Sequence, residues 1–151
     1  MSFEPDRAKR LDTLQARANR SRSVTPELLI EVIANACMRF PAHGHATKVA
    51  FNQLVACGAW TDAVLLLLHL ELPQWKLRRI IYEDGEWHCF LSKQPQFPLE
   101  FDEGAEAAHE VLPLAILIGF IRARSAVASL ATSVPRVTTP PSCSVCCDNF
   151  N

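Results

Sequence analysis

The run Trp75-Lys-Leu-Arg-Arg-Ile-Ile-Tyr82, then Glu83-Asp-Gly-Glu86, then Trp87-His-Cys-Phe-Leu91 decides how this chain folds. Two stretches rich in β-branched and aromatic residues flank Asp84-Gly85. A two-residue type I′ turn needs positive φ at both central positions, and Asp-Gly tolerates it. With Asp84 and Gly85 as the loop, Glu83 faces Glu86, Tyr82 faces Trp87, Ile80 faces Cys89 and Arg78 faces Leu91. Side chains alternate across a strand, so Ile80, Tyr82, Trp87, Cys89 and Leu91 share one face while Leu77, Arg79, Ile81, His88 and Phe90 share the other. A two-stranded ribbon is marginal alone, so one face should rest on apolar helices. The face with Tyr82 and Trp87 is the larger and is the expected inner one. On the other, Arg79, Ile81, His88 and Phe90 bring a cation, a titratable ring and aromatic area together, which makes them the candidate partner-binding surface.

Upstream, the pattern is helical. Thr25-Pro-Glu27 is a helix start: a side-chain oxygen for the free amides, a proline where its missing N–H does no harm, and an acid at the positive end of the dipole. That helix is expected over 26–39, with Leu28, Ile30 and Val32 spreading apolar surface around it, and Pro41 ends it. A second helix over 46–57 places Val49, Ala50, Leu54 and Cys57 inward and stops at Gly58. A third, capped at Thr61 or Asp62, runs through Leu65 to Leu68 and ends before Pro73. This helical pair invites comparison with a DNA-reading helix-turn-helix, but a recognition helix needs polar side chains aimed at base edges, and Val64 to Leu70 offers leucines, a valine and a histidine. The phrase Gly58-Ala-Trp60-Thr-Asp-Ala63 resembles one junction of a tetratricopeptide-type repeat, without the further copies that a solenoid requires.

Downstream, Gln94 to Glu110 reads as a linker with acids at 100, 102, 103, 106 and 110. Pro113 is tolerated in a first turn, so the last helix is expected from Glu110 to Arg124, with Arg122 and Arg124 at its negative end. The expected fold is therefore α+β: about four helices with one antiparallel β-hairpin packed on them, over residues 25–124. Residues 1–24, with six basic and three acidic side chains, are expected to form a basic flexible or helical arm. In 125–151, ten of the eighteen residues from Ser125 to Ser142 are Ser, Thr or Pro, the composition of a disordered tail.

At Leu72-Pro-Gln-Trp75 and Tyr82-Glu-Asp-Gly-Glu-Trp-His-Cys89, with Leu91-Ser92 behind, the chain resembles small uncharacterised bacterial proteins of similar length. The resemblance covers 48–124 and implies a compact α+β domain, with no activity, cofactor or ligand residue attached.

The chain has 151 residues, 49% of them hydrophobic, and a formal net charge of −1. That balance argues against wholesale attraction to nucleic acid or an anionic membrane, which needs many uncompensated cations. The first 24 residues lack the apolar run of a secretory signal, and Val111 to Ile121, the longest uncharged apolar stretch, falls short of the roughly 20 residues that cross a bilayer. The chain reads as cytoplasmic, where thiols stay reduced, and Cys37, Cys57 and Cys89 as small buried hydrophobes. No Gly-rich phosphate loop, His-Glu-x-x-His pair or Gly-x-Ser-x-Gly elbow occurs, and His88 and Cys89 point to opposite faces of one strand. No catalytic residue and no cofactor is therefore assigned. Cys143-Ser-Val-Cys146-Cys147 has the spacing for two zinc ligands but lacks a second pair nearby, so no metal site is assigned either. What remains is a small protein-binding or adaptor domain whose partner is another protein or a second copy of itself. The alternatives are an enzyme or ligand-binding protein using a pocket near His88, and a zinc protein using the C-terminal cysteines.

Overall fold

Leu112 to Ile121 is apolar at every position, and a helix apolar all round must be enclosed rather than laid on a surface. That requirement organises the molecule. The computed structural model describes residues 4–98 and 102–132. Among these, the helices are α1 (Glu4–Arg20), α2 (Pro26–Ala36), α3 (His45–Ala56), α4 (Trp60–Glu71) and α5 (Leu112–Thr132), and the strands are β1 (Lys76–Glu83), β2 (Glu86–Ser92) and β3 (Gly104–His109). The strands form one antiparallel sheet in the order β1-β2-β3. β2 and β3 lie on α5, α1 and α4 pack on it as well, and α2 and α3 form an outer layer on α1 and α4. Leu114 to Ile118, Phe120 and Ile121 are sealed from solvent inside this sleeve. By length and composition α5 is also the one described helix that would be long and apolar enough to cross a membrane.

The fold is α+β and rich in helix, but the expected four helices and one hairpin are five helices and a three-stranded sheet among the described residues. The extra helix lies in the basic 1–24 stretch, where Leu11, Leu14 and Ala18 recur on one side and are buried against α5 and α2. Arg17 of α1 also pairs with Glu31 of α2. The extra strand lies in what reads as an acidic linker. Its inward residues are Ala105 and Ala107, poor strand formers by propensity, and they suit this place because α5 comes so close. A β-carbon on Gly119 of α5 would sit 3.1 Å from Leu91 Cδ1 and 3.7 Å from the Ala107 methyl. α5 in turn runs on past Arg124 to Thr132.

Three finer expectations are corrected. The first helix ends at Ala36 rather than 39, because the carboxylate of Glu71, at the end of α4, draws the next amides out of the helix. Glu71 is 1% exposed, and it accepts from the backbone N–H of Met38 at 2.9 Å, of Arg39 at 2.7 Å and of Phe40. Ile30 is exposed, so α2 is buried on one side only. On α3 the inward residue is Phe51, whose ring meets Phe40 edge-on at 5.0 Å, whereas Val49, Ala50 and Cys57 face solvent.

The hairpin turn forms as expected, with Asp84 at φ 51° and Gly85 at φ 84°. Pairing from Glu83↔Glu86 to Ile80↔Cys89 also holds. Arg79 faces Phe90 in the same register, and only beyond it does a bulge shift the pairing, so that Leu77, not Arg78, faces Leu91. Arg78 is the extra residue. Its guanidinium donates to Asp102 Oδ2 and to the Phe97 carbonyl, each at 2.5 Å, tying the β2–β3 connection to β1. The C-terminal 133–151 stretch, including Cys143, Cys146 and Cys147, lies outside the described residues.

Candidate functional site on the sheet

The alternation of β2 separates a sealed face from an open one. Cys89 and Leu91 point to α5 and are fully buried. Burial pushes the Cys89 thiol from an ordinary 9.0 up to about 11, so at neutral pH it is a protonated, inert core group. His88 and Phe90 point the other way. Across the sheet they fall into two rows: Arg79, Phe90 and Glu106 in one, Ile81, His88 and Ala108 in the next. All four candidate residues, Arg79, Ile81, His88 and Phe90, thus share the face turned away from α5. Ile81, His88 and Phe90 are half-buried by one another and by their neighbours in the sheet, and Arg79 is exposed.

Phe90 is held in place by the third strand. Gly104 lies beneath its ring, and a β-carbon there would come within 2.5 Å of both Phe90 Cζ and the Leu91 carbonyl oxygen. The bare backbone at 104 lets the ring lie flat on the sheet. The row is therefore a cation, an aromatic ring and a carboxylate set side by side. Glu106 was missed in the sequence because its strand reads as a linker; the signal was the alternation of Ala105 and Ala107 with Glu106.

β1 is the edge strand, and it extends past the helices. On its inner side Ile80 is 40% and Tyr82 59% exposed, so the face expected to be core is sealed along β2 and open along β1. Tyr82 rests on half-buried Trp87, with ring centroids 5.0 Å apart and planes tilted by 53°. The opposite edge is guarded: Arg122 of α5 donates to the Glu106 carbonyl of β3. On β1, the bulge, Lys76 and Arg79 oppose the addition of another strand, as edge strands commonly do. Contact through the face is the mode these features leave open.

Cavities of 190 to 740 Å³ open on the described residues, and His88 lines none of these. No group of three or more His, Cys, Asp and Glu side chains among the described residues could hold a metal ion. No protein-family model, curated protein or solved structure matches this chain. Its functional reading therefore rests on its own surface.

Proposed function

We propose that this protein is a small cytosolic, non-enzymatic interaction domain that binds another protein, or a second copy of itself, through the outer face of its sheet. The observation that carries the reading is the contiguous row of Arg79, Phe90 and Glu106 beside Ile81 and His88 on the side of the sheet that α5 leaves open. Aromatic and arginine side chains set in a partly desolvated patch are the groups that anchor protein interfaces. Rows carrying both a cation and an acid also favour a partner surface with complementary charges, which sets orientation more than affinity. The overhanging Ile80 and Tyr82 extend the apolar area around the β1 edge.

A photocrosslinking amino acid placed at position 81 tests the reading in cells, with position 52 on exposed α3 as the control. The expected result is a discrete adduct from position 81 that disappears when Arg79→Glu is added. Equal labelling from both positions, or an adduct indifferent to Arg79→Glu, overturns it. Light scattering on the purified, reduced chain then identifies the partner class: a dimer points to a second copy and a monomer to another protein.

A further inference from the structure

Where the first turns of α1 run beside the second half of α5, a cavity of about 740 Å³ opens between Arg7, Leu11, Met38, Arg124, Val127 and Ala128. It shares no residue with the outer face of the sheet. Its size falls in the range of small-molecule sites.

Among the residues that line it, two arginines, Arg7 and Arg124, stand against one acid, Asp12. Arg124 lies within electrostatic reach of Arg7 and Arg39, which repel it, and of Glu71, which attracts it. Glu71 is already engaged, since both of its oxygens accept backbone N–H groups at the start of the turn after α2. Arg124 Nε is buried and has no hydrogen-bond partner among the described residues. Arg7 Nη2 reaches the Met38 sulfur at 3.0 Å, and a thioether is a weak acceptor for a guanidinium. Burial and the neighbouring arginines push Arg124 below its usual range, yet a guanidinium stays protonated in proteins, so the repulsion and the missing acceptor are not relieved by losing a proton. An oxyanion relieves both, because the planar fork of arginine matches a carboxylate or phosphate.

Asp12, Ser125 and Ser129 also line the cavity, and its remaining walls are apolar. Pro5, Ala8 and Leu11 of α1 face Val127 and Ala128 of α5, and Met38, 62% exposed at the rim, is a flexible side chain that adapts to a ligand's shape. A bare inorganic anion would leave these walls wet. We infer that the cavity between α1 and α5 binds a small amphiphilic anion, its oxyanion head on Arg7 and Arg124 and its hydrocarbon body along Leu11, Val127 and Ala128.

Isothermal titration calorimetry on the full chain tests this with three probes: decanoate, decanol and inorganic phosphate. Saturable binding of one decanoate per chain is expected, with decanol and phosphate each weaker by about tenfold or more, since a hydrogen bond to a charged group is worth about 1.5–3 kcal/mol and tenfold is about 1.4. Arg124→Gln is expected to weaken decanoate by about the same factor, and Arg124→Lys, which keeps the charge and loses the fork, by less. Arg7→Gln, on α1 across the cavity, gives the same reading if Arg124→Gln disturbs the fold. No decanoate binding, equal binding to the glutamine variants, or phosphate binding as tightly as decanoate overturns the inference.

Discussion

The β1–β2 hairpin keeps one side of its strands open to solvent, whereas the first half of α5 has no open side. In the middle of β2, Cys89 and Leu91 are sealed on α5, while His88 and Phe90, which alternate with them, are only half-buried. On α5, Leu114 to Ile118 are sealed without interruption, because the sheet, α1 and α4 close around them. Interiors are packed as densely as organic crystals, so each enclosed position constrains its neighbours. The hairpin can vary alternate residues without disturbing what holds it together. A surface for recognition has room to arise there, and little room to arise on the enclosed part of α5.

The largest test of this contrast is at Phe120, fully buried on α5. Phe120→Ala is expected to cost about 3–5 kcal/mol, read from chemical denaturation, since it removes a large buried side chain and leaves a cavity. Phe90→Ala on the open face should cost far less, and a similar loss at both positions would break the contrast. Next comes Glu71, the polar group on which the helical half depends. Glu71→Gln keeps one acceptor oxygen where the carboxylate has two, and a loss of about 2 kcal/mol is expected from the buried amides left unmatched. An unchanged midpoint would mean that the turn after α2 is held by packing alone. At the hairpin tip, Gly85 sits at φ 84°. Gly85→Ala is expected to cost about 1–2 kcal/mol, because an L side chain is strained there; since the tip is solvated, the loss should not exceed that backbone penalty.

The smallest effect at neutral pH separates buried from exposed thiols. Burial, reinforced by Glu71, pushes Cys37 from 9.0 up to about 12, and burial pushes Cys89 up to about 11. Both pKa values lie higher in the folded chain than in the unfolded one. The stability they confer is therefore fully present below about pH 9 and is lost as pH rises from there through 11 and 12. Alkaline unfolding is expected to shift to higher pH in Cys37→Ala. Near pH 8, a thiol reagent should label Cys57, exposed at the end of α3, well before Cys37 or Cys89. Early labelling of Cys89 would show that β2 lifts from α5 more readily than its burial implies.

The hairpin was legible because its information is local. Asp84-Gly85 selects the turn, the turn sets the register, and period-two alternation sorts Arg79, Ile81, His88 and Phe90 onto one side. The bulge at Arg78 was not legible, because the side chain that it frees is held by Asp102, 24 residues along the chain. The third strand was misread, and the packing of α1 into the core was not foreseen, for a shared reason. Ala105 and Ala107 carry little strand propensity, and Leu11, Leu14 and Ala18 are few, so each element forms because α5 offers a surface to cover rather than because its own residues insist. Short-range pattern cannot report a partner that is far away in the chain.

By itself the sequence determined the hairpin turn, the pairing from Glu83 to Arg79, the cap at Thr25 that opens α2 with its side chain accepting from Leu28 N–H at 3.2 Å, and the existence of an apolar helix with Pro113 in its first turn. Each depends on contacts a few residues apart, where residue type is enough. Only the tertiary structure decided that α5 lies at the centre, that Glu71 ends α2 from 31 to 33 residues away, that β1 overhangs with Tyr82 exposed, and that Arg7 and Arg124 meet across one cavity. Those outcomes depend on which distant surfaces close over one another, and burial is a property of the assembled chain rather than of any single segment.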